Sequence, residues 1–85
     1  MPYSLDFRPS ALKSLERIAR PDQVRLAKAI EGLRTNPHPP AAKKLSGEHE
    51  WWRLRVGDYR VIYAIEKQRL VILVLKIGHR REVYR

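Results

Sequence analysis

The stretch from Trp51 to Tyr63, WWRLRVGDYRVIY, constrains the fold more than any other part of the chain. It consists of two alternating runs joined by Gly57-Asp58, and such a pair between alternating runs signals a tight β-hairpin. With the turn at 57–58, Val56 falls opposite Tyr59, Arg55 opposite Arg60, Leu54 opposite Val61 and Arg53 opposite Ile62. Successive side chains on a strand point to opposite faces. Trp52, Leu54, Val56, Tyr59, Val61 and Tyr63 therefore share one face, and Arg53, Arg55 and Arg60 share the other. Like charges directly opposite one another on a sheet are destabilising. A sequence that sets Arg55 against Arg60, with Arg53 alongside, points to an anionic partner.

The rest of the chain supplies what the hairpin's apolar face needs to pack against. Tyr3, Leu5 and Phe7 alternate with Ser4 and Asp6, which predicts a first strand. Pro9 suits the first turn of a helix, whose stripe is Ala11, Leu12, Leu15, Ile18 and Ala19. Pro21 opens a second helix, with Asp22 near its positive end. Its predicted apolar face is Val24, Ala27, Ile30 and Leu33, and Asn36-Pro37 marks its stop. His38-Pro39-Pro40-Ala41-Ala42 reads as a loop, since proline cannot donate to a helix or a central ladder. Lys43, Lys44 and Leu45 then lead into a Ser46-Gly47 turn. After a turn at Lys67-Gln68-Arg69, the aliphatic run Leu70 to Leu75 predicts a central strand that Gly78 breaks, and Glu82-Val83-Tyr84 a short last strand. The expected fold is α+β, in the order β-α-α-β-β-β-β. A mainly antiparallel twisted sheet carries a two-helix hairpin on one face and leaves the arginine face open. Residues 1–85 are expected to form one domain.

Charge narrows the partners. Eighteen Lys and Arg against nine Asp and Glu give a net charge of +9, which fits a nucleic acid or an acidic protein. No long basic amphipathic helix supports a membrane surface, and the run Leu70 to Leu75 is too short to span a bilayer. No signal-like start is evident and there is no cysteine, so a soluble, cytoplasmic protein without disulfides is expected. His38, His49 and His79 lie in different predicted loops, with no metal-site spacing. The glycines are scattered at 32, 47, 57 and 78, so no phosphate loop is formed. Glu48 and Glu50 read as solvated loop residues. No cofactor or metal is expected.

A basic, aromatic C-terminal end remains, in which His79-Arg80-Arg81 follows Gly78 and Tyr84 closes the predicted last strand. Charge runs of this kind are usually solvated faces. The hairpin arginines, from a separate segment, tilt the reading toward a site.

Three segments, Lys44-Leu45-Ser46-Gly47, Trp52 to Tyr63 and Ile77-Gly78-His79-Arg80-Arg81-Glu82-Val83-Tyr84, resemble the RelE/ParE superfamily of bacterial and archaeal toxins. The resemblance covers essentially the whole chain and implies the toxin of a type II toxin–antitoxin system. RelE-like members cut mRNA in the ribosomal A site, whereas ParE-like members poison DNA gyrase without being nucleases. The RelE pattern carries over to Arg53, Arg55, Arg60, Arg80 and Tyr84, each a chemically suitable residue. Two departures stand out. Well-known RelE members have lysines at the positions of Arg53 and Arg55, and the shorter segment after His79 allows Arg81 as well as Arg80 to match the family arginine.

The resemblance implies metal-independent cleavage in which the substrate's 2′-hydroxyl attacks the adjacent phosphate. Arg60 and Arg80 suit the phosphorane oxygens, because guanidinium forks match phosphate in two-point contacts. Arg53 and Arg55 would hold the backbone, with Lys43, Lys44 and Arg81 as further substrate-binding cations. Tyr84 is preferred over His79 as the base, since nearby positive charge favours phenolate, although Tyr84 could instead stack on a base. The implied partners are a cognate antitoxin with an acidic or amphipathic segment, the ribosome and its mRNA, and operator DNA reached through the antitoxin complex.

Overall fold

A computed structural model describes residues 2–45, 47 and 50–79. The order is β1 (Ser4–Phe7), α1 (Pro9–Glu16), α2 (Arg20–Gly32), β2 (Ala42–Lys44), β3 (Trp51–Val56), β4 (Tyr59–Glu66) and β5 (Val71–His79). The five strands form one sheet in the order β1-β5-β4-β3-β2. The β1–β5 pairing is parallel and the other three among the described residues are antiparallel. The α+β architecture with a helical hairpin on one face is the expected one.

The hairpin register is the one its sequence dictates, with Val56 opposite Tyr59, Arg55 opposite Arg60 and Leu54 opposite Val61. Gly57 takes φ 59° at the first central turn position, a conformation that costs glycine little. The Nη1 of Arg25 on α2 lies 3.1 Å from where a Cβ on Gly57 would stand, so any larger residue meets both strain and crowding.

One core lies between helices and sheet. Leu54, Val61, Tyr63, Ile65, Ile72, Val74 and Ile77 meet Ala11 and Leu15 of α1, Leu26 and Ile30 of α2, and Leu33 just beyond it. Here the helix faces need correction. Leu26 is fully buried while Val24 and Ala27 are exposed, so α2 presents the Leu26–Ile30–Leu33 stripe rather than one through Val24 and Ala27. Leu12 of α1 is exposed as well.

Two strand assignments also change. Ala42–Lys44, read as loop and lead-in, is the edge strand β2 paired with Leu54, Arg53 and Trp52. The loop before it is anchored beneath the sheet. The Tyr63 hydroxyl donates to the Pro37 carbonyl at 2.7 Å, His38 meets the Trp52 ring edge-on, and the Ala42 N–H donates to Pro39. Those contacts hold β2 against β3, although no alternating pattern announces it. Gly78 does not end β5, because the ladder continues through Arg60↔Gly78 and Tyr59↔His79. The predicted last strand, 82–84, lies outside the described residues.

Candidate functional site

The face of the sheet away from the helices carries the cations. Arg53 and Arg55 on β3 and Arg60 on β4 share it, with Arg55 registered against Arg60. Arg53 and Arg60 are half-buried and Arg55 is exposed. The Arg60 Nε is shielded from solvent, so part of its charge sits in a lower dielectric, where attraction to an anion is stronger. A small apolar patch of Ile62, Ala64 and Leu75, flanked by Leu45 and Leu73, floors the same face.

A register shift in β5 adds a cation that strand alternation does not predict. Ile62 pairs with Lys76 and Tyr63 with Val74, which leaves Leu75 as an extra residue. A bulge of this kind reverses the alternation beyond it. Ile77 is thereby buried in the core while Lys76 is exposed beside Ile62 on the arginine face. Lys43 of β2 joins the same row, opposite Arg53. Gly78, which has no side chain, stands opposite Arg60 in the ladder. The signal in the sequence was the Leu75-Lys76-Ile77 break in the aliphatic run, since a buried lysine would be too costly to keep charged without a bulge.

The other expected site residues divide. Lys44 pairs across β2 and β3 with Trp52, not with an arginine, and its Nζ lies 3.0 Å from Glu50. Glu50 stays in the loop before β3, as its sequence context implied, but is held there by two contacts. It accepts from the Trp52 indole at 3.1 Å, and that hydrogen bond together with Lys44 holds its carboxyl below the ordinary value of 4.5. His79 pairs with Tyr59 and meets its ring edge-on at 5.9 Å between centroids. Tyr59 packs on the helix-side core, so His79 lies across the sheet from Arg53, Arg55 and Arg60. Arg80, Arg81 and Tyr84 lie outside the described residues. Among the described residues no three His, Asp or Glu side chains cluster as metal ligands would.

A second surface feature lies on the helices. Leu15, Val24 and Ala27 line an open groove bordered by Arg20, Gln23, Lys28 and Glu31. It is the face of α2 that the Leu26 stripe leaves outward. Among the described residues no helix is long and apolar enough to cross a membrane.

A strand-registered arginine face on this α+β frame can be compared with known proteins. Residues 5–84 match the family model for the ParE toxin of the type II toxin–antitoxin system, parDE. The chain belongs to the RelE/ParE toxin superfamily. Its similarity is to the RelE-like branch. A putative RelE-like toxin protein of Escherichia coli is 33% identical over 82 residues, covering 94% of this chain and 85% of the relative. The mRNA interferase toxin RelE of Escherichia coli K12 is 31% identical over 88 residues, covering 99% and 92%. The archaeal RelE–RelB complex from Pyrococcus horikoshii OT3 superposes with a TM-score of 0.85 at 29% identity, covering 96% of this chain and 99% of that one. The protein is therefore a RelE-like toxin of the type II toxin–antitoxin class.

Proposed function

We propose that this toxin is an endoribonuclease that cuts mRNA in the ribosomal A site and so stops translation. The observation that carries the reading is Arg55 registered directly against Arg60, with Arg53 beside them, on the side of the sheet away from α1 and α2. Like charges opposite one another repel, and guanidinium forks suit a phosphate between them. The similarity to a relative named an mRNA interferase supports the same substrate class.

In this reaction the 2′-oxygen of the nucleotide before the cut attacks its own 3′-phosphorus and gives up its proton. The P–O5′ bond breaks, the 5′-oxygen takes a proton, and the products end in a 2′,3′-cyclic phosphate and a 5′-hydroxyl. The nucleophile comes from the RNA, so the protein's part is alignment and stabilisation of charge on the phosphorane. Arg60 and Arg80 take the phosphorane oxygens, while Arg53, Arg55, Lys43 and Arg81 hold the backbone. Tyr84, rather than His79, is assigned the proton transfer, because His79 lies on the helix side against Tyr59. The remaining partner is an antitoxin. The apolar groove along Leu15, Val24 and Ala27, edged by Arg20 and Lys28, suits an amphipathic acidic helix. A solved relative is a RelE–RelB complex. Operator DNA is then reached through that complex.

A second reading, a ParE-like gyrase poison with no chemistry of its own, is favoured by one observation, the ParE description of the matching family. Mapping transcript ends in cells expressing the chain separates the two. New 5′-hydroxyl ends within translated codons support cleavage. Intact transcripts with double-strand breaks in DNA support the gyrase reading and overturn the first.

A further inference from the structure

At the margin of the sheet β1 stops at Phe7, while β5 continues to His79 alongside α1. A cavity of about 400 Å³ opens there, lined by Arg8, Ser10, Ser14, Lys76 and Gly78 among others. Its polar side chains are two cations and two hydroxyls. Arg8 follows Phe7 in extended conformation, φ −65° and ψ 145°, so alternation turns it, like Asp6, to the same face as Lys76 and the arginines. Neither Arg8 nor Lys76 forms an ion pair among the described residues. Ser10 is exposed, and the Ser14 hydroxyl donates to the Ser10 carbonyl at 3.0 Å. Asp6, two residues before Arg8, accepts from the Phe7 N–H at 2.9 Å.

We propose that this cavity is a second phosphate subsite for RNA, continuous with the arginine face. It rests on the endoribonuclease reading and extends it to where the strand runs. Gly78 is the link, because it stands opposite Arg60 in the ladder and also lines the cavity. A backbone leaving Arg60 crosses β5 where there is no side chain and meets Lys76 and Arg8 next. Neighbouring strands lie about 4.8 Å apart and Arg8 stands level with Leu75, three residues from Gly78, so the path from Arg55 on β3 to Arg8 at the end of β1 covers about 17 Å. That span exceeds one ribose-phosphate link, so the phosphate held here belongs to a neighbouring nucleotide. Two cations and serine hydroxyls line this cavity, and among the described residues neither cation has an ion-pair partner, which fits a phosphate better than an acidic helix that needs an apolar floor.

The test is the salt dependence of binding to a fluorescent single-stranded RNA that carries 2′-O-methyl groups and so cannot be cut. Arg8→Ala with Lys76→Ala should weaken binding about tenfold and lower the slope of log K against log salt by about 0.7, the loss of one phosphate contact. Ser10→Leu, which fills the cavity without changing charge, should weaken binding in the same direction. Arg17→Ala with Lys67→Ala, which removes equal charge away from the cavity, should leave the slope as it was. An unchanged slope in the first pair overturns the subsite, as does an equal drop in the control pair. So does a first pair that loses antitoxin affinity while keeping RNA affinity. Because the RNA is uncut, failure to cleave translated mRNA would remove the endoribonuclease reading without altering these outcomes.

Discussion

On the helix side of the sheet, Leu54, Val61, Tyr63, Ile72, Val74 and Ile77 close against Leu26, Ile30 and Leu33, and among the described residues no charged one is buried. On the opposite side the same strands carry Arg53, Arg55, Arg60, Lys43 and Lys76 around a small patch of Ile62, Ala64 and Leu75. The first side is what removal of apolar surface from water requires. The second runs against stability, since Arg55 faces Arg60. One strand thus serves two masters at alternate residues. Changes on the helix side should alter stability, and changes on the open side should alter ligand binding and chemistry.

The largest separation is expected from Arg60→Gln, which keeps much of the side-chain stem and removes the guanidinium. Cleavage of ribosome-bound mRNA should slow by about a hundredfold, the scale of losing one charge-stabilising donor, with a melting temperature close to the parent's. Comparable losses in both would merge the two sides. Leu26→Ala, across the sheet in the core, should do the reverse. It should lower unfolding free energy by about 3 kcal/mol in denaturant titration, with the cleavage rate of the folded fraction retained.

Tyr63→Phe gives a smaller, pH-coded effect. Loss of its hydrogen bond to Pro37 should cost about 1 kcal/mol near neutral pH. Burial pushes the Tyr63 phenol from 10.0 up to about 12, so the folded chain keeps a proton that the unfolded chain releases. That contribution is complete below pH 10 and is lost as pH rises through about 12, so the gap between parent and variant should narrow over that window. The smallest effect tests the repulsion itself. Arg55→Thr should raise stability by about 0.5 kcal/mol while weakening RNA binding. A fall in stability would mean that the arginine pair supports the fold.

Much of this division was legible in the sequence because it is local. Gly57 and the alternation around it determine the register, and the register sorts arginines from core residues. What was not legible depended on tertiary contacts. Both Val24–Ala27 and Leu26–Ile30–Leu33 lie at helical spacing on α2, and only docking on the sheet decides which stripe is buried. β2 forms because Tyr63 and Trp52 anchor a proline loop next to β3, not because its three residues favour strand. The bulge at Leu75 brings Lys76 onto the arginine face, and strict alternation would have hidden it. His79 followed the arginines in the chain yet pairs with Tyr59 on the far side, since adjacency along a strand alternates faces. Arg80, Arg81 and Tyr84 stand on the resemblance of their segment to the family.

The central claim is that this surface supplies charge and alignment while the RNA supplies its own nucleophile. The direct measurement is the cleavage rate, in a purified translation system, of an mRNA bearing a single 2′-deoxy nucleotide immediately before the A-site link that is cut. The account predicts rapid cutting of the all-ribose message to a 2′,3′-cyclic phosphate end and no cutting of the deoxy message at that link. Equal cutting of both, or an all-ribose message left intact, would contradict it.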